Sequence, residues 1–169
     1  MGRFSITSET AFSHPPEVVY DFAANPNNWG RTYKGSGGMH KDVKVPVEFG
    51  DVWTEKVDLP PNTYYSTWTC IRKERPWSFV IQQQNHIGAT EPDVGGCDGF
   101  TTISYTFEKV GEGVTLFTRN LTCELPRGTA IPDDLLTVSL TVCCRPQGIE
   151  KYHDSIKDEL DQKHEKTRK

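Results

Sequence analysis

Apolar and polar residues alternate along much of the chain, beginning with Phe4, Ile6 and Phe12, whose even spacing predicts a strand with one covered face. The pattern changes at Ser13-His14-Pro15-Pro16-Glu17, where a candidate capping serine, prolines suited to a first helical turn and an acid for a helix N-terminus stand together. Val18, Val19, Phe22 and Ala23 then recur at helical spacing and predict a short amphipathic helix that stops before Asn25-Pro26. Asn27-Asn28-Trp29 opens a second helical turn, and Gly35, Gly37 and Gly38 predict a flexible connection after it.

From there the period is that of strands. Gly50 to Leu59, Thr63 to Arg75, Trp77 to Ile87, Gly99 to Val110 and Val114 to Leu125 are rich in Thr, Val, Ile and aromatic residues. The turn signals Pro60-Pro61-Asn62, Arg75-Pro76 and Gly111-Glu112-Gly113 separate them, so an antiparallel meander is expected. Gly88 to Asp98 interrupts it with a stretch long enough to act as a flap over an opening. Ile149, Tyr152, Ile156 and Leu160 form the apolar stripe of a closing helix expected over Pro132 to about Lys163. Arg145-Pro146-Gln147-Gly148 predicts either a kink in that helix or a start at Pro146, and the tail after Lys163 is expected to fray.

The 169 residues fit one domain, 35% hydrophobic and 25% charged, with a formal net charge of −4. Scattered Lys and Arg give no basic footprint for nucleic acid. With no apolar run of membrane-spanning length and no apolar signal core in Met1 to Thr10, a cytoplasmic protein without a membrane partner is expected. Five cysteines (Cys70, Cys97, Cys123, Cys143 and Cys144) without metal-site spacing read as free thiols. No dinucleotide or P-loop fingerprint and no His-x-His or HExxH spacing occurs, so neither metal nor organic cofactor is expected.

A strand, two short helices, a meander and a long closing helix resemble the START-like or SRPBCC superfamily, which includes polyketide cyclase/dehydrase proteins and the birch-pollen-allergen group. The residues that carry the resemblance are Phe12 to Phe22 at the strand-to-helix junction, Asn25-Pro26-Asn27-Asn28-Trp29, Gly50-Asp51-Val52-Trp53, the Gly113-Val114-Thr115 turn, and Ile149 to His153. The resemblance implies an α+β helix-grip fold, a curved antiparallel sheet wrapped around the C-terminal helix and enclosing a ligand cavity. It also implies two functions: a cofactor-independent enzyme of the polyketide cyclase/dehydrase type acting by acid/base chemistry on an aromatic or polyketide-like molecule, or a non-catalytic carrier of a small hydrophobic molecule. A homodimer is left open. An adaptor for a partner protein is a third reading, which would need a large exposed apolar patch.

In such a fold the informative residues are polar ones on otherwise apolar, inward strand faces. Glu55 shares a face with Trp53, Val57 and Leu59, and Arg119 shares one with Phe117, Leu121, Cys123 and Leu125. A buried carboxylate or guanidinium must pair with another group or with a ligand, which makes Glu55 a candidate acid or base and Arg119 a candidate oxyanion holder. A slip of one residue would turn either face outward. Gln82, Gln84 and His86 form an alternating polar set, with Gln83 and Asn85 opposite. His86, at the entry to the flap, is a third candidate catalytic residue. Trp53, Tyr65, Trp68, Gln84, Tyr105, Tyr33 and His40 are the candidate substrate-binding residues, and Tyr64 is a further aromatic for the wall.

Overall fold

The computed structural model describes residues 2–129 and 146–167. Strand β1 (Gly2–Phe12) leads into helix α1 (Pro16–Ala23), a 3-10 turn (Pro26–Asn28) and the single-turn helix α2 (Trp29–Thr32). Six more strands come next: β2 (Ser36–Met39), β3 (Val52–Leu59), β4 (Asn62–Glu74), β5 (Ser78–Gln84), β6 (Phe100–Gly111) and β7 (Val114–Leu125), and helix α3 (Pro146–Thr167) comes last. All seven strands belong to one curled antiparallel sheet in the order β1-β7-β6-β5-β4-β3-β2. Cys143 and Cys144, read as free thiols, and the first part of the expected closing helix, Pro132 to Arg145, lie outside the described residues.

Strand β7 shows the rule that builds the sheet: Thr115, Phe117, Arg119, Leu121, Cys123 and Leu125 are buried, and each residue between them is only half-buried. Two-residue pleating sends these six side chains to the concave face, and β7 is held in that register on both sides, by β1 from Phe12↔Thr115 to Gly2↔Leu125 and by β6. Phe117 is the hub of the core. Its ring meets Phe12 at 5.8 Å, Tyr105 at 5.6 Å, Phe107 at 5.3 Å and His153 of α3 at 5.5 Å, all within the range of favourable aromatic packing.

Helix α3 presents Tyr152, His153, Ile156 and Leu160 to the concave side. Their spacing of one, three and four residues is that of a helical stripe one face wide. Outside the stripe, His14 Nε2 lies 2.8 Å from Asp161 Oδ1, and Arg31 Nε donates to Glu159 Oε1 at 2.9 Å. Thr115 Oγ1 donates to the His14 carbonyl at 2.7 Å, so the strand-to-helix junction is pinned to both β7 and α3.

Three local expectations change. Ser13 does not cap α1: Pro15 occupies that position, extended and with no side-chain hydrogen bond, and Pro16 supplies the preset first turn. The glycine-rich connection after α2 forms β2, which is laid along β3 with Ser36↔Val57 and Met39↔Glu55 as partners. Gly37 fits because any Cβ there would run into the Asp58 carboxylate. Helix α3 is described from Pro146, so the choice between a kink and a start there lies outside the described residues, and it continues to Thr167, past the point at which fraying was expected. Among the described residues no helix is long and apolar enough to cross a membrane.

Truncating the hub, Phe117→Ala, is expected to cost about 3–5 kcal/mol, read as a fall in the urea midpoint at unchanged slope. His153 provides a pH test. Burial and the nearby Arg119 charge lower its pKa from 6.5 to about 4, so between those values the unfolded chain binds a proton that the native chain does not. Stability should therefore fall as pH drops from 6.5 towards about 4, by on the order of 3 kcal/mol for the full shift. His153→Leu should remove that loss in acid-unfolding curves.

Candidate functional site

A cavity of ≈ 130 Å³ opens on the concave face. Its apolar wall includes Val57, Leu59, Ile103 and Leu121, and its polar lining includes Glu55, Gln83, Tyr105, Arg119 and Tyr152. The cavity exists because the middle of the face carries polar side chains that cannot close on one another as the phenyl rings around Phe117 do.

Glu55 comes from β3. Pleating puts it on the concave face between Trp53 and Val57, and β2 covers it from the edge of the sheet. Only 6% of it is exposed. Trp68 Nε1, from the neighbouring β4, donates to Glu55 Oε2 at 2.9 Å, and Ser36 of β2 also bonds the carboxyl. Burial pushes the carboxyl pKa above its ordinary value, and the Ser36 and Trp68 hydrogen bonds and the Arg119 charge offset part of that rise. The result is a carboxyl moved towards the range in which it can both release and take up a proton.

Arg119 lies on β7, four strands away along the sheet from β3. It is 6% exposed, its guanidinium lies 5.9 Å from the centre of the Tyr33 ring, and it bonds the hydroxyl of Tyr105, its partner across the β6–β7 ladder. Tyr105 and Tyr152 also share a hydrogen bond. Burial raises the pKa of both phenols, Tyr152 the more strongly, so both keep their protons. Tyr33 meets Tyr152 edge to face at 5.6 Å and closes the aromatic end of the cavity. His153 stands behind this group, its Nε2 3.4 Å from Ser8 Oγ.

Of the residues singled out in the sequence, Glu55, Arg119, Tyr33, Tyr64, Trp68 and Tyr105 are brought together at the cavity. The others are not. Trp53 points inward but stops behind the cavity wall, packed at 6.0 Å on Trp29, which does line the cavity. Tyr65 is one residue out of phase with Tyr64, Ser66 and Trp68, so it faces the convex side, where its ring meets His40 at 5.9 Å. His40 itself is exposed beyond the end of β2. Gln84 is exposed, because on β5 the inward phase is that of Phe79, Ile81 and Gln83. Gln83, only 4% exposed, is the glutamine that lines the cavity.

His86 is corrected for a different reason. The strand ends at Gln84, and Asn85 and His86 take φ of 59° and 52°, so alternation no longer applies to them. The His86 ring turns to the flap, its Nδ1 2.9 Å from the Gly95 carbonyl, while its own carbonyl accepts from Gln83 Nε2 at 3.2 Å. Gly96 closes this turn at φ 76°, where a Cβ would come within 2.7 Å of the His86 carbonyl carbon. The flap lies against the sheet through Tyr65↔Ala89 and contributes Ile87 and Gly88 to the cavity wall.

Sequence reasoning missed Gln83 and Tyr152 as cavity residues and Ser36 as a hydrogen-bond partner of Glu55. Gln83 carried a readable signal in its phase with Phe79 and Ile81. Ser36 lay in an unrecognised strand, and Tyr152 was taken only as part of an apolar stripe.

A seven-stranded curled sheet gripping a C-terminal helix around a polar-lined cavity is the helix-grip fold of the START-like, SRPBCC superfamily. No family model matches the sequence, and no curated protein matches it. Three solved structures show the likeness. Zhui aromatase/cyclase from Streptomyces sp. R1128 has a TM-score of 0.64 at 12% identity, covering 95% of this chain and 95% of that one. Ara h 8.0201 has a TM-score of 0.63 at 10% identity over 95% and 99% of the two chains, and a START superfamily protein from Mycobacterium smegmatis has 0.62 at 9% over 95% and 99%. At such identities the likeness is one of fold, and a fold does not choose between catalysis and binding.

The raised pKa of Glu55 makes a prediction of its own. Above 4.5 an unfolded chain has lost this proton while the native chain still holds it, so native stability should decline as pH rises through the native pKa. Glu55→Gln, which fixes a neutral side chain of the same shape, should be flatter over that range in urea titrations. An equal slope in both proteins would show that Glu55 is not the group responsible.

Proposed function

We propose that the chain binds a small aromatic molecule in this cavity and moves a proton on it without a cofactor, in the manner of a cyclisation, dehydration, isomerisation or lyase step. The observation that carries the reading is the arrangement of a buried carboxyl of raised pKa and a buried guanidinium facing one small cavity. In its ionised form Glu55 takes a proton from a carbon next to a carbonyl. The electron pair left behind moves to the carbonyl oxygen, and Arg119 together with the phenolic pair stabilises the enolate that forms. The protonated Glu55 then returns the proton to the same carbon or to a neighbouring atom. Trp68 and Ser36 hold the carboxyl in place for both transfers. The low-dielectric wall strengthens each of these interactions over its value in water.

Carriage without conversion is the second reading, supported by the apolar share of the wall, with Val57, Leu59, Ile103 and Leu121. Deuterium exchange separates the two. With phenylacetone in D₂O, the wild-type protein should incorporate deuterium next to the carbonyl, at a rate that climbs with pH as Glu55 ionises. Glu55→Gln should lower the rate by about 10²–10⁴-fold, the usual contribution of a positioned acid or base. Exchange no faster than in buffer, from a protein that still binds the probe, would leave carriage as the function.

A further inference from the structure

We propose that the cavity selects a molecule with a single six-membered ring and one anionic oxygen group, a carboxylate or phenolate, and excludes fused multi-ring skeletons. This rests on the function proposed above and specifies its substrate class.

Size sets the first limit. An apolar protein cavity of about 150 Å³ takes up one benzene molecule, and clefts for drug-sized ligands begin near about 300 Å³. At ≈ 130 Å³ the space between the sheet and α3 has room for one ring. The side chains around it are bound to one another and do not readily move apart: Trp68 to Glu55, Tyr105 to Arg119 and Tyr152, and Tyr33 edge-on to Tyr152.

Charge gives the second limit. The guanidinium of Arg119 can only donate, and it lines the cavity beside the phenols of Tyr105 and Tyr152. A permanent cation next to phenolic hydroxyls fits an oxygen that brings lone pairs and negative charge, and charge-assisted bonds of this type are about twice as strong as neutral ones. Glu55 completes the selection. It lines the same cavity, and burial pushes its carboxyl pKa above the ordinary value, which lessens the repulsion an anionic ligand would meet there.

Calorimetric titration of the whole chain tests this, with benzoate, its neutral isostere benzamide, 2-naphthoate and anthracene-2-carboxylate as probes. Benzoate should bind about tenfold or more tightly than benzamide, the worth of a hydrogen bond to a charged group. The two-ring acid should bind more weakly than benzoate, and the three-ring acid should give no measurable heat of binding. Arg119→Gln should cost benzoate about tenfold or more while leaving benzamide nearly unchanged. Tyr105→Phe, which keeps the ring and removes its hydroxyl, provides the same comparison if the arginine variant does not fold. Equal affinity for benzamide and benzoate, an anthracene acid that binds as well as benzoate, or no binding by any probe would each overturn the proposal. The outcome is independent of turnover. If the single-ring acids bind but wild-type exchange is absent, the substrate class stands and the catalytic reading fails; if exchange is found only with multi-ring ketones, the reverse holds.

Discussion

Two-residue pleating along β7 is the constraint on which the rest of the structure depends. With β1 and β6 bonded to its two edges, β7 cannot rotate or slip, so its six buried residues share one face. The same alternation that delivers Phe117 to the core delivers Arg119, two residues on, to the cavity. A slip that exposed the arginine would expose the phenylalanine as well, along with the rings that meet it. The packing energy of its neighbours therefore fixes which face of the sheet the charge occupies.

That placement explains the polar character around it. A guanidinium cannot shed its charge at any accessible pH, so the residues beside it must accommodate a permanent cation. They do so with an aromatic face in Tyr33 and a phenolic oxygen in Tyr105. They also include His153, whose protonation the same cation opposes. Among the described residues that line the cavity, Glu55 is the carboxyl. Burial drives it towards the neutral acid while Arg119, Ser36 and Trp68 pull it back, and a carboxyl balanced in this way can exchange protons.

The flap and β2 show how local backbone chemistry redirects side chains that the strand period would place elsewhere. Positive φ at Asn85 and His86 ends the alternation of β5, so His86 joins a turn and its carbonyl anchors Gln83 instead of its ring entering the cavity. Glycine at 37 lets β2 lie close against β3, and that pairing brings Ser36 to Glu55.

The sequence by itself determined the element order, five of the six strands after α1, the apolar stripe of α3, and the inward phase of β3 and β7. Those phases were readable because Glu55 and Arg119 stand among large apolar residues of the same parity, and burial of apolar area chooses the face. Gln83 was readable on the same ground, from Phe79 and Ile81. Tertiary structure alone decided which inward residues meet. Trp53 and Glu55 share a face, yet one packs on Trp29 and the other lines the cavity, because position along the strand relative to α2 and α3 is a matter of sheet curl and helix placement. The pairing of Tyr105 with Arg119 depends on strand register, and that of Tyr105 with Tyr152 on the docking of α3. No local pattern encodes the approach of residues so far apart in the chain; it comes from the closure of the whole sheet around the helix.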